Sequence, residues 1–109
     1  MTEHRQPGLP IGPVLVIGCG LIGTSVALGL SAQGVRVHLR DQNPANVALA
    51  ESLGAGVSGP VAEPSLVVVA TPPSVVVSGV QAALAEFKNA TVTDVASVKR
   101  SIVEKIDDP

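Results

Sequence analysis

The chain has 109 residues, 46% hydrophobic, 15% charged and 1% aromatic, with a formal net charge of −2. It is too short for two full domains and too apolar for a disordered chain, and with one Phe and no Trp or Tyr its core must be aliphatic. Seven basic residues against nine acidic ones leave no nucleic-acid footprint, and one Cys with two His makes neither an internal disulfide nor a zinc cluster, which favours a cytoplasmic setting.

Residues 1–12 form a polar lead with Pro7 and Pro10, predicted as a flexible tail ahead of a single domain over 13–109. Val14-Leu15-Val16-Ile17 is a short apolar run stopped by Gly18, the pattern of a strand buried on both faces. Leu21 to Gln33 reads as a helix. Gly23, Ala27 and Ser31 recur every four positions on it, so one face can lie close to a sheet, and Gly34 is the expected residue past its end. Val14 to Leu30 could be mistaken for a membrane span, but its three glycines suit a turn, and the preceding Glu3, Pro7, Pro10 and Pro13 do not suit a signal peptide. No membrane segment is expected.

Val35, Val37 and Leu39 alternate with Arg36, His38 and Arg40, a strand with one apolar face closed by Asp41. Asn43-Pro44 opens a helix, Asn as cap and Pro in the first turn, that runs to about Leu53 and stops at Gly54. Within Ala55–Pro64, Val57 suggests a short strand and Pro60 and Pro64 suggest loop. Leu66 to Ala70 is a further apolar strand, broken by Thr71-Pro72-Pro73. A helix opening at Ser74 or a neighbour is predicted to reach Glu86, with Asn89 as a left-handed end. Thr91 to Asp94 is a last strand, and Val98 to about Ile106 a last helix with Ser97 as its cap. Strands alternating with helices imply right-handed crossovers and a parallel sheet covered on both faces. The expected architecture is α/β, a Rossmann-type doubly wound parallel sheet in a single three-layer α/β/α domain.

Gly18-Cys19-Gly20-Leu21-Ile22-Gly23 matches GxGxxG directly after a predicted strand and at the start of a predicted helix. In that context Gly18 permits the turn, Gly20 lets a pyrophosphate approach the backbone, and Gly23 lets helix and strand pack. The first N–H groups of the helix, including those of Leu21 and Ile22, have no intrahelical partners and are free for phosphate oxygens. The bland alternative is a glycine turn that only packs. Asp41 lies 18 residues after Gly23, at the end of the second strand, where an acid accepts hydrogen bonds from the adenosine ribose. A carboxylate there favours NAD, with NADP the alternative. Arg40 could reach a 2′-phosphate, although strand alternation turns it to the other face, and Asp41 could also serve merely as a turn residue. Thr71 and Pro72 follow the fourth strand and are expected to pass close to the dinucleotide. Ser97 and Lys99 follow the fifth strand at the same sheet edge. His4 falls in the tail, His38 in the second strand on the adenosine side, far from any hydride chemistry, and Cys19 has no paired base evident, so none suits catalysis.

These segments together resemble the prephenate/arogenate dehydrogenases. Gly18-Cys19-Gly20-Leu21-Ile22-Gly23-Thr24-Ser25 looks like the family's GxGLIGxS opening, Val69-Ala70-Thr71-Pro72 resembles its strand ending in ATP, and Thr93-Asp94-Val95-Ala96-Ser97-Val98-Lys99 is similar to its TDxxSVK segment. The resemblance covers Val14 to about Ile106. It implies NAD(P)-dependent oxidative decarboxylation of prephenate or arogenate in tyrosine biosynthesis, with Ser97 near the nicotinamide and the substrate's ring hydroxyl. It also implies a catalytic His about twenty residues beyond that serine and a helical substrate and dimerisation domain after it. Neither is among these 109 residues, so the chain alone is expected to bind cofactor without turnover, and the longer protein to be a homodimer. Two other readings are a non-catalytic NAD(P)-binding module and the cofactor domain of another oxidoreductase, such as a hydroxyacid dehydrogenase. The TDxxSVK-like segment weighs against the latter.

Overall fold

The computed structural model describes residues 12–95. In chain order these form β1 (Val14–Ile17), α1 (Leu21–Ala32), β2 (Val37–Arg40), α2 (Pro44–Ser52), β3 (Val57–Ser58), β4 (Leu66–Val69), α3 (Val76–Glu86) and β5 (Thr91–Asp94). All five strands pair in parallel in the order β3-β2-β1-β4-β5. From β1 the chain steps outward through β2 and β3, then returns to β4 on the other side of β1. Right-handed crossovers in opposite directions put the connections on opposite faces of the sheet, the doubly wound arrangement.

The two sheet faces carry separate aliphatic clusters. Val14 and Val16 pack on one face with Val37, Leu39, Val68, Ala27 of α1 and Ala50 of α2. Leu15, Val67 and Val69 point the other way, against Ala83 of α3 and Phe87. β1 is buried on both sides because it is paired with β2 and β4 and roofed by helices above and below, which explains its unbroken apolar sequence. In β2 the alternation survives: Val37 and Leu39 are buried while His38 and Arg40 are half-buried.

Both helices of the first face stop in the same way. Gly34 has φ +84, its N–H donates to Ser31 O at 3.0 Å, and the Val35 N–H donates to Leu30 O at 3.1 Å. Gly54 has φ +87, with Gly54 N–H to Glu51 O at 3.0 Å and Ala55 N–H to Ala50 O at 3.0 Å. Both are Schellman closures, which satisfy carbonyls that the helix end leaves open. The first explains why β2 begins at Val37, since Val35 is spent on closing α1. At the start of α2, the Asn43 side chain accepts from the Ala45 N–H at 3.0 Å and Pro44 occupies the first helical position.

One expectation at the two ends of α3 is met and the other needs correction. The start of α3 falls where it was expected, at a neighbour of Ser74: Val75 is its N-cap, with no capping side chain, reached through a tight turn in which the Val75 N–H donates to Pro72 O at 3.0 Å. Asn89 is not left-handed, because among the described residues only glycines have positive φ. Instead Phe87 ends α3 with its side chain buried against β4, and a turn closes from the Ala90 N–H to Phe87 O at 3.2 Å. In the stretch read as mostly loop, β3 is a two-residue strand beside β2, and residues 59–65 cross to β4 with no helix. The expected tail, Ser97 and the last helix from Val98 lie outside the described residues.

Candidate functional site

The carboxyl ends of β1, β2 and β4 converge on the glycine turn. The Gly18 N–H donates to Arg40 O at 2.7 Å and the Ala70 N–H to Ile17 O at 2.7 Å. Gly18 has φ +100, and a Cβ there would stand 2.7 Å from Ala70 O. A Cβ on Gly23 would fall onto the Gly18 carbonyl and lie 3.1 Å from the Ala70 Cβ. These two glycines press the start of α1 against the turn and against the end of β4. Thr24 adds a clasp, its hydroxyl donating to Cys19 O at 3.1 Å.

Gly20 is different. It is the N-cap of α1, it is extended, and no side chain caps the helix there. An added Cβ would meet nothing within 4 Å. The glycine thus keeps open a space above the first helical N–H groups, which lack intrahelical acceptors and carry the positive end of the helix dipole. That is a cradle for an anionic group approaching the backbone, and a pyrophosphate fits it. Leu21 and Ile22, whose N–H groups line it, turn their side chains to solvent, 86% and 41% exposed.

Asp41 faces this turn. Its Oδ2 accepts from the Cys19 N–H at 2.7 Å and its Oδ1 from the Asn43 N–H at 2.8 Å. Burial works to raise its pKa, but the hydrogen bonds from the Asn43 and Cys19 N–H groups and the Asn46 side chain outweigh it and hold the carboxyl below its ordinary value. The group is therefore an anion at neutral pH. A carboxylate offers about four acceptor positions, so three donors leave room for a further hydroxyl. The Cys19 thiol is buried and pushed up, first by desolvation and then by the Asp41 charge, despite its weak bond to Arg40 O at 3.7 Å. A thiol in that state is a packing group, not a nucleophile.

Asp41 also stands on the rim of an open cleft of about 520 Å³. Its walls include Leu39, Pro44, Val47, Glu51, Ser58 and Pro60, and Glu51 accepts from the Ser58 N–H at 3.0 Å. Arg40 leaves the strand on the opposite face, as alternation requires. Its guanidinium meets both Glu86 carboxylate oxygens, Nη1–Oε1 at 2.9 Å and Nη2–Oε2 at 3.3 Å, and lies 5.6 Å from the centre of the Phe87 ring.

The structure thus gathers Gly18, Gly20, Leu21, Ile22, Gly23 and Asp41 at one edge. Thr71 is beside them in sequence order of strand ends, but its hydroxyl is buried without a hydrogen-bond partner and turned toward α3, 3.6 Å from where a Gly79 Cβ would be. Pro72 is exposed. Ser97 lies outside the described residues. Sequence reasoning missed Asn46, for which a second amide one turn into α2 was the available signal, and Glu86, for which there was none. Among the described residues there is no cluster of three metal-ligating side chains and no helix long and apolar enough to cross a membrane.

Residues 26–109 match the sequence model described as prephenate dehydrogenase, nucleotide-binding domain. The chain belongs to the prephenate dehydrogenase family. It is 37% identical over 94 residues to a probable prephenate dehydrogenase, NovF, of Streptomyces niveus, covering 85% of this chain and 26% of that protein. Among solved structures, prephenate dehydrogenase from A. aeolicus, in complex with hydroxyphenyl propionate and NAD+, superposes with a TM-score of 0.69 at 25% identity, over 80% of this chain and 34% of the other. Synechocystis arogenate dehydrogenase gives 0.68 at 20% identity, over 75% and 32%. The Mycobacterium tuberculosis 3-hydroxyisobutyrate dehydrogenase gives 0.59 at 19%, over 77% and 31%, a likeness of fold alone. The chain spans about a quarter to a third of the length of these relatives.

Proposed function

We propose that this chain is the NAD-binding domain of a dehydrogenase that oxidatively decarboxylates prephenate or arogenate. One observation carries the reading: an uncapped helix N-terminus, kept open by Gly20, with an anionic Asp41 held beside it. The family membership supports the reaction class. So does the A. aeolicus relative, whose structure contains NAD+.

In this reading the first N–H groups of α1, among them those of Leu21 and Ile22, hold the pyrophosphate, and Gly18 and Gly23 fix the turn that aims them. Asp41 accepts from a ribose hydroxyl and repels a 2′-phosphate, so NAD is preferred over NADP. Thr71 and Pro72 border the dinucleotide at the end of β4, and Ser97 stands near the nicotinamide and the substrate's ring hydroxyl. When bound, NAD supplies the hydride acceptor. Oxidation of a hydroxyl-bearing carbon also requires a proton acceptor. The one histidine among the described residues, His38, lies within β2 with its Nδ1 buried and does not suit that task. We assign the parent protein, a homodimer in this reading, to the cytoplasm.

Calorimetric titration with NADH and NADPH tests the proposal. The Coulomb penalty at a partly solvated carboxylate is about 1–2 kcal/mol, so NADH is expected to bind roughly 5 to 30 times more tightly. Tighter binding of NADPH, or binding of neither, would overturn it.

A further inference from the structure

Arg40 and Asp41 are neighbours in the chain at the rim of the site, yet their charges are kept apart. Asp41 turns into the glycine turn and Arg40 to the α3 face. The guanidinium is held there by two different contacts. Glu86, at the end of α3, takes it with both oxygens, the geometry that suits Arg best. Phe87, the only aromatic residue of the chain, lies beneath it at 5.6 Å, within the range of a cation–π contact. Phe87 itself is buried against β4, so this platform is fixed by the core.

We infer that Glu86, with Phe87 beneath, sets the choice between the two dinucleotides by parking the Arg40 guanidinium away from the ribose edge. The inference rests on the dinucleotide-binding reading. Arg40 is anchored at the rim by its backbone, whose carbonyl accepts from the Gly18 N–H at 2.7 Å. A long side chain starting there reaches either α3 or a phosphate beside Asp41. With Glu86 in place, the cation is neutralised on α3 and Asp41 alone meets the ribose. Without it, the guanidinium is free to pair with a 2′-phosphate and offset the Asp41 charge. Glu86 acts through Arg40 and is a positioning residue, not a ligand.

The pair is exposed, with side chains 41% and 50% accessible, so its release is worth a modest factor. The test is the ratio of NADPH to NADH dissociation constants, measured by titration for the chain and for Glu86→Gln, each in the Arg40 and the Arg40→Ala background. Glu86→Gln is expected to lower the ratio about two- to fivefold, roughly 0.4–1 kcal/mol, and to leave it unchanged when Arg40 is Ala. A ratio unmoved by Glu86→Gln overturns the inference while NADH binding still stands. An equal fall in the Arg40→Ala background also overturns it, because Glu86 would then act through its own charge. Failure of the unaltered chain to bind either dinucleotide overturns both this inference and the reading beneath it.

Discussion

Gly18 and Gly20, two residues apart, answer to different physical demands. Gly18 is held by the fold: its φ of +100 and the Ala70 carbonyl 2.7 Å from a would-be Cβ leave no place for a side chain. Gly18→Ala is expected to cost roughly 1–3 kcal/mol of stability, read as a lower urea midpoint; an unchanged midpoint would mean that the turn relaxes freely. Gly20 is extended and faces open space, so nothing within the fold itself excludes a side chain there. Asp41 has a signature in pH. Its native carboxyl is more acidic than the ordinary 3.8 of the unfolded chain. Its contribution is therefore complete above about pH 5 and is lost as pH falls below 3.8 through the lower native value. Asp41→Asn should flatten the stability curve in that acid range, measured by urea unfolding at stepped pH; a curve of unchanged slope would remove Asp41 from the account. The glycine spacing and the acid 18 positions on were legible, because each is fixed by local backbone geometry. The bonds that Asp41 and Arg40 make were not, since Cys19 lies 22 and Glu86 46 residues away in the chain.

At the scale of the element, the punctuation was readable and the unpunctuated ends were not. Asn43-Pro44, Gly34 and Gly54 mark helix ends through their own side chains or lack of them, and α1 and α2 start and stop where these residues say. Asn43→Ala removes the acceptor of the Ala45 N–H and is expected to cost about 1 kcal/mol, seen as a lower melting temperature; no change would mean that solvent caps α2 equally well. The ends of α3 lack such a mark. Its start is set by the turn that follows Pro72, and its end by the burial of Phe87 against the sheet. Both are tertiary effects: the start was legible only to within a neighbour of Ser74, and the local preference at Asn89 pointed elsewhere. β3 was legible only through Val57, because two exposed residues, Val57 and Ser58, carry no alternating pattern and take strand form beside the edge of β2.

For the whole molecule, alternating strands and helices were enough to give the parallel sheet and its two covered faces, because crossover handedness leaves few alternatives. The short, helix-free passage over residues 59–65 interrupts that alternation, where Pro60 and Pro64 signalled loop. Val61 of that passage packs against the cluster that holds Leu15 and Phe87, so the loop covers part of the face that a helix covers elsewhere. The sheet order brings the ends of β1, β2 and β4 together, and that convergence makes the glycine turn a candidate binding edge. The central claim is that this edge binds a dinucleotide through its open cradle. NADH fluorescence measures that directly, with little background in a chain lacking Trp and Tyr. Titrating the 109-residue chain should give saturable binding. Gly20→Val, which places a branched side chain where the pyrophosphate must approach, should weaken it at least about tenfold, some 1.4 kcal/mol, while the melting temperature stays in place. Equal affinity in the folded variant, or no saturable binding by the folded chain, would contradict the account.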